Sequence, residues 1–199
     1  MSVVRSGPLS PGAGSGLGGG RPGLWVPAVA GGDWPGCPAG HLPGSAGSLD
    51  ERPRRLSHEE FGAAQLLAAD GHRVRSLAEL PGVGRRPDLD VCGAGVEVKS
   101  FMSLADRGRP PSPQSVFNKL VDAAGQADAV ILYGRGSGLT AGTVRRGLAR
   151  LAAEGRAPSL SAVRVVGDGF DLAWVREARL SRALQPGLGS RPPGPELGI

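Results

Sequence analysis

The sequence predicts an α/β fold, one mixed sheet with helices packed on its faces, and three observations lead there. Short β-branched runs alternate with amphipathic helical stretches over residues 115–166, and strand–helix–strand order calls for parallel neighbours joined by crossovers. Residues 86–100 carry Val91, Val96 and Val98 around Gly93-Ala94-Gly95, the pattern of two strands joined by a tight turn, which adds antiparallel pairing. Ala162–Val166 and Phe170–Trp174 fold back over Gly167-Asp168-Gly169 as a closing hairpin. With 40% hydrophobic residues in 199, the chain can bury one core, but its 34 glycines and 18 prolines gather at the ends. The expected division is therefore a disordered Gly/Pro-rich arm or linker over 1–50, a folded domain over 51–185 and a frayed tail over 186–199.

The arm contains only Trp25 and Trp34 as isolated apolar points, too little buried surface to offset its ordering entropy. Ser57 then opens a helix as N-cap, with Glu60 at the capping-box position, Phe61, Ala64, Leu67 and Ala68 as the apolar stripe, and Gly71 as the left-handed stop. His72–Leu77 alternates as a first strand. Leu80–Arg86 is a turn-rich loop into the hairpin, and Asp106–Pro113 a second loop at its mouth. Ser115–Ala127 is the next helix, with Val116, Leu120, Ala123 and Ala127 inward. Ala129–Tyr133 follows as a buried strand. Thr140 caps a helix running to about Glu154, with Val144, Leu148 and Leu151 on its core face. The expected order is α-β-β-β-α-β-α-β-β, with no internal repeat.

Composition narrows the function classes. A net charge of +5 and a pI near 10.2 permit a polyanionic partner. Aromatic residues at 4% are too few for a platform that stacks single-stranded bases. Cys37 and Cys92 supply neither a disulfide framework nor a zinc spacing, and His41, His58 and His72 are scattered. No apolar run approaches a membrane span, and Met1–Arg5 followed by Ser, Gly and Pro is no signal peptide. The expected location is the cytoplasm, or a target cell's cytoplasm if the protein is an exported effector.

Chemistry concentrates in the first hairpin. Alternation puts Glu97 and Lys99 on one face of their strand and Val96 and Val98 on the other, and Asp88 lies across the turn. Two carboxylates and an ammonium on an apolar hairpin suit metal-assisted phosphodiester hydrolysis. Asp88 and Glu97 would hold Mg²⁺, or another divalent cation such as Mn²⁺, and Lys99 would orient water or steady developing negative charge. The same residues equally suit a surface hairpin whose polar face carries cross-strand charge pairs. One fact favours chemistry: Lys99 and Lys119 are the only lysines among 23 basic residues, and a compact ammonium is not interchangeable with a guanidinium. Arg85 and Arg86 flank the hairpin, where they would hold phosphates or serve as solvated charge. Arg145, Arg146 and Arg150 lie opposite the core face of their helix, as a grip on a phosphate backbone or a solvated face.

Pro87-Asp88 followed by Glu97-Val98-Lys99 is similar to the PD-(D/E)-x-K pattern of the restriction-endonuclease-like superfamily. In sequence order come the Glu60-x-x-Ala63-Ala64-x-Leu66-Leu67-Ala68 helix, Gly71-His72-x-Val74, the hairpin, the Ser115–Ala127 helix, the Val130–Leu132 strand, the Thr140–Leu151 helix and the terminal hairpin. Together they resemble the C-terminal tRNase domain of contact-dependent-inhibition (CdiA-type) toxins over Ser57–Trp174. The resemblance implies an α/β/α nuclease core with Asp88, Glu97 and Lys99 catalytic and Glu60 as a helix-borne acid assisting the metal. It further implies Gln126 as a substrate-positioning residue, tRNA as favoured substrate with DNA second, and a cognate immunity protein as partner. A DNA-processing nuclease, or a non-catalytic nucleic-acid- or protein-binding module on the same fold, are the competing readings.

Overall fold

Capping chemistry sets the helix boundaries in the computed structural model, which describes residues 24–28, 47–78, 82, 86–102 and 108–176. Helix α1 spans His58–Ala69; the Ser57 hydroxyl accepts from the Glu60 N–H, and the Glu60 carboxylate accepts from the Ser57 N–H at 2.8 Å. This is a closed capping box, and Gly71 turns the chain at φ +93°. Helix α2 spans Pro113–Ala123, earlier at both ends than the sequence indicates. Its cap is Ser112, its first residue is Pro113, whose missing N–H costs nothing there, and Ser115 closes the box instead of starting the helix. Helix α3, Ala141–Ala153, is capped by Thr140.

The strands are β1 Trp25–Ala28, β2 Ser48–Asp50, β3 Arg73–Ser76, β4 Leu89–Val91, β5 Ala94–Ser100, β6 Ala129–Tyr133, β7 Ala162–Gly167 and β8 Phe170–Arg176. They form one mixed sheet in the order β1-β8-β7-β6-β5-β4-β3-β2. Strands β5, β6 and β7 run parallel through crossovers that contain α2 and α3, and β2 and β3 run parallel through α1. The remaining neighbours are antiparallel. Strands β1 and β2 correct the expectation of a disordered arm, because both pair with the domain and form the outer strands of the sheet. They also put two strands ahead of the expected first helix. Their sequence carries little periodicity. Trp25 gains its place by packing at the core's edge under the Arg176 guanidinium, 5.0 Å from the ring, and Pro27 is tolerated because β1 is an edge strand. The rest of the arm and the tail beyond Arg176 lie outside the described residues.

Alternation along the strands divides the core between two layers. Val130, Leu132, Val163 and Val165 face α2 and α3, where Val116, Leu120, Val144 and Leu151 meet them fully buried. Val96, Val98, Ile131 and Leu89 face α1, against Ala63, Ala64 and Leu67. Small residues on α1 let it approach closely; Phe61 and Ala68, expected in its stripe, pack at the rim.

One charge breaks the apolar α1 face. Arg164 of β7 is 1% exposed, and its guanidinium reaches Asp70 at the end of α1 (2.5 Å) and Asp171 of β8 (2.6 Å). Burial would lower its pKa; the two carboxylates outweigh that and raise it. Removing one member of such a triad strands the others, though both carboxylates keep partial access to water. We therefore expect Arg164→Met to lower unfolding free energy by about 2–3 kcal/mol, read as a lower urea midpoint.

Candidate active site

The β4–β5 hairpin closes on Cys92-Gly93, with φ of +53° and +96°, the geometry of a two-residue type I′ turn. This corrects the expected Gly93-Ala94-Gly95 turn. Gly95 is instead a strand residue opposite Asp90, and the Pro87 ring occupies the place of a side chain, with its Cγ 2.6 Å from where a Cβ would stand. Proline ahead of Asp88 and glycine at 95 are thus two halves of one contact.

Pairing stops at Leu89, and Asp88 takes over. Continuing the register would set Val98 opposite Pro87; instead Asp88 Oδ2 accepts from the Val98 N–H at 2.9 Å, and the Asp88 carbonyl accepts from the Leu77 N–H. Two residues along β5 from Gly95, Glu97 is 3% exposed. Lys99 Nζ lies 2.6 Å from Glu97 Oε1 and 3.0 Å from Oδ2 of Asp122 on α2. Glu97 Oε2 is buried and accepts no hydrogen bond among the described residues.

Helix α1 brings Glu60 to Asp88. Between them the Arg54 guanidinium contacts Glu60 Oε2 and Oε1 (3.0 and 3.2 Å) and Asp88 Oδ1 (3.3 Å), and its Nε donates to the Leu77 carbonyl. Burial would raise the Glu60 pKa; the Ser57 N–H and Arg54 outweigh it and hold Glu60 below the usual glutamate range. Asp88 goes the other way. Burial first, then the neighbouring Glu97 and Glu60 carboxylates, push it up to about 7 despite the Val98 N–H. Burial would lower the Lys99 pKa, yet bonding to Glu97 and Asp122 raises it overall.

Asp88 therefore stands between Glu60, joined to it through Arg54 on the α1 side, and the Glu97–Lys99 pair on the α2 side. Gln126 lies in the turn after α2 with Nε2 buried and unbonded among the described residues. Arg86, Arg145 and Arg146 are exposed, and no hydrogen bond or ion pair joins them to this cluster among the described residues; Arg85 lies outside those residues. Arg54 and Asp122 are participants that sequence reasoning missed. Arg54 precedes its helix with no motif around it, whereas Asp122 left one signal, its spacing of three from Lys119 on the polar side of α2. Among the described residues, no group of three or more His, Cys, Asp or Glu side chains is gathered as a metal centre. No helix among the described residues is long and apolar enough to cross a membrane. No family model, curated protein or solved structure matches this chain.

The raised Asp88 pKa sets a pH dependence. An unfolded aspartate titrates near 3.8 and the folded one near 7, so the folded state holds an extra proton between those values. Its contribution to stability is complete below the lower value and lost as pH rises through the higher. Without divalent cations, we expect the thermal midpoint to fall from pH 6 to pH 8, and Asp88→Asn to flatten that slope.

Proposed function

We propose that the protein is a metal-dependent endonuclease hydrolysing phosphodiester bonds, with tRNA the favoured substrate and DNA second. The observation that carries this reading is the convergence of Asp88 and Glu97 with Lys99 where β4 and β5 part, with a Glu97 oxygen left buried and unbonded. The energetics support it. A buried ion pair often does no better than apolar residues of similar size, so stability alone is a weak reason for Glu97–Lys99.

The donor set fits a hard divalent cation. Glu97 Oε2 is free to coordinate, and Asp88, with about four lone-pair sites, retains capacity beyond the Val98 N–H and Arg54. Asp88 and Glu97 would hold the ion, with waters completing a shell of the kind Mg²⁺ or Mn²⁺ keeps. Bound there, such an ion supplies Lewis acidity toward a phosphoryl oxygen and lowers the pKa of a bound water. The chain's own residues do the rest. Lys99 Nζ, anchored by Glu97 and Asp122, has a further N–H to donate to a water or a phosphate oxygen. Arg54 and Glu60 hold Asp88 in place. Arg86 and the exposed Arg145 and Arg146 supply distal charge for a polynucleotide backbone.

The α/β architecture with its mixed sheet agrees with a restriction-endonuclease-like core. Within that reading the protein is of the CdiA toxin type, with an immunity protein as the partner that blocks the site. A second reading has one observation in its favour. Arg54 is paired to Glu60 and Asp88, and Lys99 to Glu97 and Asp122, as in a charge cluster that merely shapes a non-catalytic binding module.

The test is cleavage of total tRNA and of plasmid DNA by the full chain with Mg²⁺ or EDTA. The full chain is needed because a start at Asp50 would remove β1 and most of β2. We expect metal-dependent cutting of tRNA, reduced on the order of a hundredfold or more by Glu97→Gln and by Lys99→Ala. Cutting of DNA alone would favour the DNA-processing enzyme, and no cutting of either by folded protein would leave the binding module.

A further inference from the structure

The two lysines of this arginine-rich chain lie near enough to act on one another electrostatically. Lys99 lies on β5 and Lys119 on α2, twenty residues apart, and Asp122 Oδ2, one turn along from Lys119, bonds Lys99 Nζ at 3.0 Å. The two ammoniums are placed differently. Lys99 is tied by two carboxylates. Lys119 is partly buried with Nζ 5.3 Å from the centroid of the Phe101 ring, and it forms no ion pair or hydrogen bond among the described residues. Burial, and then the positive charge of Lys99, lower its pKa, with Asp122 only partly offsetting them.

We propose that Lys119 is a substrate-binding residue of this site, its ammonium contacting a phosphate oxygen of the bound polynucleotide beside Lys99. The proposal rests on the nuclease reading above and extends it to a second cation. An ammonium held partly out of water, beside another cation and with no ion pair among the described residues, is stabilised by an arriving anion. A phosphate next to the scissile one supplies that charge at the right place, because Lys99 already faces Glu97. The ring beneath Lys119 holds the ammonium without neutralising it, since a cation–π contact leaves the N–H donors free. The competing explanation is packing, with the aliphatic stem covering Phe101 and the head reaching water. The two differ in what happens when the charge goes and the stem stays.

Binding of fluorescein-labelled tRNA to the full chain is measured by anisotropy in EDTA over about 50–200 mM KCl for wild type, Lys119→Met and Lys119→Arg. Loss of one phosphate contact lowers the steepness of log Kobs against log salt by about 0.7–0.9 and weakens binding at 0.1 M salt about sixfold. We expect that change in Lys119→Met and wild-type steepness in Lys119→Arg. In Mg²⁺, Lys119→Met raises KM more than it lowers kcat. Unchanged steepness and affinity in Lys119→Met, whatever its thermal midpoint, overturns the proposal while the nuclease reading stands on wild-type cutting. Wild type that binds tRNA but never cuts it defeats the nuclease reading, and the salt steepness still decides Lys119. Wild type that binds neither tRNA nor DNA overturns both.

Discussion

One hydrogen bond organises the site, the 2.9 Å contact from the Val98 N–H to Asp88 Oδ2. Where two strands part, the backbone donors of the longer one lose their partners, and a buried unpaired N–H costs about 1–3 kcal/mol. Here the Asp88 carboxyl fills the gap, so a requirement of the sheet plants a carboxyl group at a fixed point beside β5. Much of the local sequence serves that placement. Pro87 has no N–H to extend the ladder, Gly95 leaves room for its ring, and the Leu77 N–H holds the Asp88 carbonyl from the other side. Position is therefore set by backbone geometry, which is stiffer than any surface loop.

A carboxylate fixed in this way cannot move off when others approach, and others do. Glu97 comes from the next strand and Glu60 from α1, and their combined field with burial explains why Asp88 holds its proton to near neutrality. The protein balances the excess with two cations on opposite flanks, Arg54 toward α1 and Lys99 toward α2. The chemical difference between them fits their positions. Arg54 forms a fork that grips two carboxyls and a carbonyl at once, which is a holding task. Lys99 presents a point charge with N–H groups to spare, which suits contact with something that arrives and leaves.

Legibility in the sequence followed the range of the interactions. Elements stabilised by their own residues were readable: Ser57 with Glu60, Thr140, the apolar run of β6 and the β7–β8 hairpin all carry local signatures. Elements stabilised by distant partners were not. Strand β1 exists because β8 offers it a backbone edge and Arg176 covers Trp25, and β2 because α1 returns the chain beside it. Neither fact is visible in Gly/Pro-rich surroundings. Within the site, Asp88, Glu97 and Lys99 were legible because strand alternation and a two-strand turn bring them near by local geometry alone. Arg54 and Asp122 were not, since they enter from an irregular segment and from a helix whose packing angle the sequence does not state. Type I′ geometry at Cys92-Gly93 was missed for another reason: a non-glycine residue at positive φ is uncommon, and three small residues downstream offered an easier turn.

Glu60 shows how the two kinds of requirement merge. Its Oε2 accepts both from the Ser57 N–H, which starts α1, and from Arg54, and Oε1 also accepts from Arg54. These donors hold Glu60 below the usual glutamate range beside an Asp88 pushed up to about 7, so the two differ in proton affinity although the residues differ little in chemistry. With that much of its bonding capacity committed, Glu60 acts on the site chiefly through Arg54 and through its charge. It raises the proton affinity of Asp88 and, by the same electrostatics, the affinity of that corner for any cation. A capping residue thereby becomes part of the charge balance of the site, and the first turn of α1 cannot be displaced without altering Asp88.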